Sequence, residues 1–293
     1  MARALSYKWW LLLGLALLVG ATLVGRALQA PPVSVHAEGT PRIVSLSPAL
    51  TETLFAIGAG AQVVGVSDYC SVSEARATRR KVGTSITPNY ETIVSLSPTL
   101  IVTEAVVNAR PQNLERLART VALPWLELDQ VLNGTRRLGE LTGKVAEANE
   151  LAERLARRLS VEPPPSAPRV LLVLGYGGDK LDEVWFIRRN SIHGAALRAA
   201  GGKNAVERDI AGQPRLSLER VLALDPDVIL VLLSDTGPSA KVVLQNWRKL
   251  EPLTAVKRGR LAAIVAPEAF MNGPSILRLS ERIEAELKAL SKS

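Results

Sequence analysis

Apolar and polar positions change their period along this chain. Short β-branched runs alternate with stretches whose apolar residues recur every three or four positions. "PRIVSLSP" (41–48) reads as a strand stopped at Ser-Pro, and "ALTETLFAIGAG" as a helix closed by Gly58 and Gly60. "QVVGVSDY" is a second strand that runs into a polar loop. "PNYETIVSLSP" predicts a short helix capped by Asn89, and "TLIVTEA" a third strand. "ARPQNLERLARTVAL" reads as a helix and "PWLELD" as a fourth strand.

The order then returns. "APRVLLVLGYGG" (167–178) predicts a strand leading into a Gly-rich loop, and "SIHGAALRAAGG" a helix closed by Gly201 and Gly202. "LSLERVLALDP" predicts a short helix capped by Ser217, followed by the strand "DVILVLLSD". "NWRKLEPLTAVKRGR" begins as helix, "LAAIVAP" is another strand, and "SILRLSERIEAELKAL" closes the chain with an apolar stripe. "ETIVSLSPTLIV" (91–102) and "ERVLALDPDVILV" (219–231) are two versions of one unit. Arg42 stands 51 residues before Ile93, and Arg169 stands 52 before Val221. This is an internal duplication. It predicts two Rossmann-like α/β lobes with mainly parallel sheets, over 41–132 and 167–293. Between them, Leu138, Leu141, Val145, Ala148, Leu151, Leu155 and Leu159 form one stripe. Capped by Asn133 and stopped by Pro163, the stripe predicts one connecting helix over 133–162. A helix of about 26 residues within that span would be ~39 Å long.

The first residues need separate treatment. Arg3 and Lys8 precede "WWLLLGLALLVGATLVG" (9–25), which carries no charge. Residues 1–37 read as an export signal ending at "VHA", or as an uncleaved membrane anchor. Both place the rest outside the cytoplasm, in the periplasm, either free or tethered to the inner membrane. Cys70 is the only cysteine, so no internal disulfide is expected. The net charge of +8 comes from Lys and Arg scattered among Glu, as in "EANELAERLARR", and no basic block argues for nucleic acid.

Catalytic constellations are missing. There is no GxSxG and no HExxH, and beyond the leader only His193 remains. One His and one Cys leave little for a zinc site or a nucleophile–base pair, so neither an enzyme nor a resident cofactor is expected. "GYGG" lacks the spacing of a dinucleotide loop. In open α/β sheets, ligands settle at the carboxyl ends of strands. That rule singles out Ser47, Pro48, Asp68, Tyr69, Cys70, Thr103, Glu104, Tyr176 and Glu268 to Asn272, including Phe270. With Trp185 and Phe186 these loops hold much of the small aromatic stock. Cys70 reads as a buried small hydrophobe or as a soft contact to ligand.

"PRIVSLSPALTETLFAIGAGAQVVGVSDYC", "ETIVSLSPTLIV", "AAGGKNAV", "LERVLALDPDVILV" and "GPSILRLSERI" together resemble the periplasmic substrate-binding proteins of bacterial ABC importers. The class is the one with a rigid interdomain helix, which carries vitamin B12, ferric siderophores and haem. "VGVSDYC" and "VGTSITPNYE" are most similar to its cobalamin-binding branch. The resemblance covers nearly all of 41–293. It implies a large tetrapyrrole-like or chelate ligand held between the lobes with little lobe movement, and delivery to a dimeric permease. It implies that Glu91 and Glu219, one per lobe, dock on that dimer; each also stands where a carboxylate suits a helix N-terminus.

By the same resemblance Tyr69 packs on the corrin ring, Trp185 or Phe186 keeps a second aromatic, and Glu268 is an acidic cleft position. The chain departs from the pattern at Ser85 or Ile86, Glu104 and Gln213, where the branch has aromatics. Haem binding would use Tyr69 or Tyr176 as ligand. A ferric siderophore would use Arg188, Arg189 or Arg215. A membrane-anchored adaptor or sensor that has lost its ligand is the remaining alternative.

Overall fold

The computed structural model describes residues 39–105, 111–175, 181, 183–212 and 214–292. The expected leader or anchor, Tyr176, most of the "GYGG" loop and Gln213 lie outside the described residues. From Thr40 onward the chain forms one unit. Among the described residues no helix is long and apolar enough to cross a membrane.

The first lobe is built on five parallel strands: β1 (Ile43–Ser45), β2 (Val63–Val66), β3 (Arg80–Lys81), β4 (Leu100–Glu104) and β5 (Arg119–Leu123), in the order β3-β2-β1-β4-β5. Helices α1 (Pro48–Ala56), α2 (Ser73–Thr78), α3 (Tyr90–Ser95) and α4 (Pro111–Glu115) connect them. The fourth long strand is Arg119–Leu123, not the expected "PWLELD". Thr120 and Val121 pair with Ile101 and Val102 of β4, and Pro124 ends the run. The three- and four-residue spacing of Leu114, Leu117 and Val121 carried the helical reading too far.

The second lobe has six strands: β6 (Arg169–Leu174), β7 (Glu183–Phe186), β8 (Lys203–Asn204), β9 (Arg215–Ser217), β10 (Val228–Leu233) and β11 (Leu261–Val265). Their order is β11-β10-β6-β7-β9, with β8 also on β6. β6, β8, β10 and β11 are parallel; β7 runs antiparallel to β6, and β9 pairs antiparallel with β7, two additions that the sequence pattern did not announce. The lobe's helices after β7 are α7 (Ile192–Ala199), α8 (Leu218–Leu224), α9 (Ala240–Arg248), α10 (Thr254–Lys257) and α11 (Ile276–Ser291).

The connection differs from the expected single helix. It is α5 (Leu128–Thr142) followed by α6 (Val145–Leu159), each 15 residues and so ~22 Å long. Gly143 ends α5 at φ +71, a left-handed conformation that glycine adopts without strain. The chain then folds back: a side chain at Gly139 would collide with Ala148 of α6, nine residues on. In one continuous helix those residues would lie ~13 Å apart. The stripe runs through the break because both helices turn it to the same core, where Leu138, Ala148, Leu151, Leu155 and Leu159 are fully buried. Arg158 at the end of α6 donates to Glu284 Oε2 at 2.6 Å and to Ala199 O at 2.9 Å, tying α6 to the second lobe.

Alternate residues of each central strand enter different cores. Ile43, Leu100, Val102, Val170, Leu172, Val228, Leu230 and Leu232 share one apolar cluster with α5, α6, α7 and α11. Their neighbours face outward clusters, one per lobe: Val44 and Ile101 in the first, Leu171, Val173, Ile229 and Val231 in the second. Burial on both faces explains strands that read as continuous apolar runs. The two lobes therefore share an inner core.

The duplication is visible in side-chain detail. Arg42, just before β1, donates to Leu96 O at 2.7 Å and Ser97 O at 3.3 Å. Arg169, opening β6, donates to Leu224 O at 3.0 Å and Asp225 O at 3.2 Å. Each arginine thus closes the carbonyl end of a short helix, α3 or α8, where a cation also meets the helix dipole favourably. Each helix leaves through a non-glycine residue with positive φ, Ser97 at 45° and Asp225 at 39°. The backbone N–H groups of the two arginines donate to matching side chains, Thr99 and Asp227.

Candidate functional site

In parallel sheets all carboxyl ends lie on one edge. For the first lobe that edge carries the residues after β1, β2, β4 and β5. Ser47 accepts from Leu50 N to cap α1 and donates to Glu104 Oε1, with half-buried Pro48 as the first residue of the helix. Burial pushes the Glu104 carboxyl above its ordinary range, and the Ser47 hydroxyl offsets part of that. After β2, a turn from Ser67 O to Cys70 N at 3.0 Å sends neighbouring side chains opposite ways. Tyr69 is 76% exposed, while Cys70 packs into the shared core, where burial raises its thiol pKa. Cys70 is accordingly the buried small hydrophobe of its two readings. Ile86 is also exposed, on a loop fixed to the end of β1 by Ser85 Oγ to Leu46 O at 3.1 Å.

The second edge shows a ladder. Trp185 pairs with Leu174, the last residue of β6, and with Arg215 of β9. The Arg215 guanidinium lies 4.8 Å from the centre of the Trp185 ring and 2.8 Å from Glu183 Oε2. Phe186, expected beside Trp185 in the cleft, points to the other face and is buried in the second lobe's outer core, because strand residues alternate. Glu268 is likewise not an open cleft carboxylate. It is 3% exposed, with Arg282 Nε at 2.7 Å and Arg278 at 3.9 Å. Burial pulls its pKa up, but the Arg282 hydrogen bond and the two guanidinium charges outweigh it and hold the carboxyl low. Phe270 is half-buried against the shared core.

The two edges meet. Trp125, on the loop after β5, is buried and donates from Nε1 to Asn272 O at 3.1 Å. Ile192 N donates to Leu126 O at 2.8 Å, and Asn190 Nδ2 to Glu127 Oε1 at 2.9 Å. Glu52 of α1 accepts from Ser275 N at 2.7 Å and Ser275 Oγ at 3.0 Å, at the start of α11. Nothing in the local sequence pattern marked Trp125, Glu52 or Asn190, since each finds its partner 60 or more residues away. A cavity of ≈ 410 Å³ opens at this seam, lined by Ala105, Trp125 and Glu127 from the first lobe and by Arg188, Asn190 and Ile210 from the second. That volume falls in the range of small-molecule sites.

Glu91 and Glu219 occupy equivalent places. Each is the second residue of its helix, after the N-caps Asn89 and Ser217, whose side chains accept from Thr92 N and Arg220 N. Both are exposed. The Ser217 hydroxyl and the carboxylate's own backbone N–H lower the Glu219 pKa. Three residues on, and so on the same helix face, stand exposed apolar side chains, Val94 at 55% and Leu222 at 38%.

Residues 43–267 match the pattern of a family described as periplasmic binding protein. The chain belongs to the periplasmic binding protein family. Members of this family bind and hand over solutes and are not enzymes, in keeping with a site that gathers aromatic and hydrogen-bonding groups. Among the described residues no cluster of His, Cys, Asp and Glu could hold a metal. The chain is 30% identical over 234 residues to a vitamin B12-binding protein of Salmonella typhi, covering 78% of this chain and 84% of that one. It is 30% identical over 260 residues to a cobalamin-binding protein of Halobacterium salinarum, covering 83% and 68%. Its fold matches the periplasmic haem-binding protein of Vibrio cholerae with TM-score 0.71 at 20% identity, over 85% of this chain and 99% of that one. It also matches the vitamin B12-binding protein of Vibrio cholerae with TM-score 0.64 at 21% identity, over 86% and 98%.

His193 of this binding protein plays no acid–base part. It is buried on α7 beside the seam, with Nε2 3.1 Å from Ala269 O. Burial lowers its pKa from 6.5 to about 4, against the opposing Ala269 contact. A base depressed on folding gives its full stability above its unfolded value and loses it as pH falls through the folded one. Between pH 6.5 and 4 this one residue should remove about 3 kcal/mol. In urea unfolding at stepped pH, His193→Met should flatten that slope; an unchanged slope would count against the assignment.

Proposed function

We propose that this protein captures cobalamin or a related corrinoid between its lobes in the periplasm and delivers it to the permease of an ABC importer. The observation that carries the reading is the likeness to two proteins named for this vitamin, at 30% identity across both lobes. The site supports it. Tyr69 and Ile86 on one carboxyl edge, and Trp185 under Arg215 on the other, offer apolar and aromatic area to a large flat macrocycle. Cyanocobalamin titration of the purified protein tests it.

Haem is the second reading, favoured by the exposed phenol of Tyr69, which suits ferric iron. A periplasmic haem-binding protein of Roseiflexus at 26% identity agrees with it. Delivery would run through the duplicated helices α3 and α8. Each presents a carboxylate and, on the same face, an apolar side chain, as Glu91 with Val94 and Glu219 with Leu222. Two like feet, each braced from behind by an arginine, suit a partner that is itself two-fold.

A further inference from the structure

The loop 207–212, between β8 and β9, is lightly held. Its backbone takes no backbone hydrogen-bond partner among the described residues. Only Ile210 of the loop is half-buried, against the second lobe's outer core; the others are exposed. The polar ties come from three consecutive side chains between β7 and α7. Arg188 Nη1 donates to Ile210 O. Arg189 Nη1 donates to Glu207 O at 2.5 Å, and its Nε pairs with Asp209 Oδ1 at 2.8 Å. Asn190 Oδ1 accepts from Ile210 N at 3.5 Å. Both members of the Arg189–Asp209 pair are exposed, so it holds weakly. Segments with few buried contacts and no backbone ladder are the ones that open locally. Space lies on both sides of this loop. In front is the seam cavity of ≈ 410 Å³, to which Asp209, Ile210, Ala211 and Gly212 contribute. Behind is a second cavity of ≈ 520 Å³, walled by Glu207 and Asp209 of the loop and by Glu162, Arg198 and Lys203 beyond it. Asp209 and Asn190 line both, so the loop is the partition between them.

We infer that residues 207–212 form a movable strap, which swings back into the rear cavity and so widens the seam for the cargo. The seam cavity is at the low end of small-molecule sites, and a corrinoid is far larger than a drug-sized ligand. The lobes are poorly placed to part, since they share an inner core and are tied by Trp125 to Asn272 and by Glu52 to Ser275. The strap is the smaller element that can give way. Gly212, at φ +72, stands at its end next to β9 as a hinge. The second position has its own partners: Asp209, on leaving Arg189, meets Arg198 and Lys203 across the rear cavity. The rear cavity thus takes the strap and not the cargo. The inference rests on the proposed function for the cargo's size, while the two positions of the strap are read from the fold.

Spin labels at Ala211→Cys on the strap and Arg154→Cys on α6, in a Cys70→Ala background, read the movement without cargo. Pulsed electron resonance of the free protein should show two separations. Glu162→Trp, which fills the rear cavity from an exposed position on its wall, should remove one of them. A single separation in the free protein overturns the inference. The cargo arm is stopped-flow binding of cyanocobalamin, with haemin in parallel. Neither Glu162 nor Arg189 lines the seam cavity, so a fixed loop predicts parent rates for both variants. The strap predicts opposite changes: association about tenfold slower in Glu162→Trp, and faster in Arg189→Ala, which frees Asp209 and Glu207. Glu162→Ala, which leaves the cavity open, should bind at the parent rate. If neither cyanocobalamin nor haemin binds while the two separations are seen and Glu162→Trp removes one, the corrinoid reading fails and the strap stands. If cyanocobalamin binds the parent and Glu162→Trp at one rate, the corrinoid reading stands and the strap's role fails.

Discussion

Replacing Glu91 and Glu219 together by alanine is expected to leave ligand affinity within about twofold of the parent and to reduce transport to the level seen without the binding protein. Both carboxylates are exposed, at the second position of short helices that the outer core of each lobe, through Ile93 and Val221, and the side chains of Arg42 and Arg169 hold in place. Neither contributes to the cleft, so binding has no reason to change. An exposed ion pair is weak, and a single replacement should therefore give a partial defect. If the two helices dock as proposed, losing both removes the charge that would orient the protein on both halves of its partner. Val94→Asp with Leu222→Asp should give the same phenotype through the apolar half of each foot. ATP hydrolysis by the reconstituted permease measures it, and full stimulation by the double glutamate variant would refute the docking role.

Trp125→Ala should be the most damaging single core change near the site, at ~3–5 kcal/mol by urea unfolding. The ring is 3% exposed and packs so closely on Gly134 of α5 that a side chain there would collide with it. Its Nε1–H also holds Asn272 O, next to the loop that carries Glu268 and Phe270. Trp125→Phe keeps most of the packing and loses that hydrogen bond, so it should cost less, about 1 kcal/mol from the bond. A cost below 1 kcal/mol for Trp125→Ala would mean that the seam is held elsewhere.

Much of this was legible in sequence because it is local or repeated. The caps at Asn89 and Ser217 were visible from residue type and position, and both accept the expected N–H groups. The duplication was visible from spacing, and it reappears as paired arginine caps. What misled was periodicity without direction. The stripe from Leu138 to Leu159 is continuous in sequence because α5 and α6 face one core, yet Gly143 folds the chain back between them. In the cleft, residue type marked Phe186 and Glu268 as ligand contacts, but strand alternation turns one into the core and Arg282 claims the other. Trp125, Glu52 and Asn190 depend on partners far along the chain. Only the folded structure shows those.

Absorbance titration of the purified protein with cyanocobalamin, with haemin and a ferric siderophore in parallel, decides whether a corrinoid is the cargo. A saturable, one-to-one change in the cobalamin spectrum is expected, weakened by Tyr69→Ala and Trp185→Ala. No change with cobalamin, together with saturable binding of haemin or of the siderophore, would contradict it.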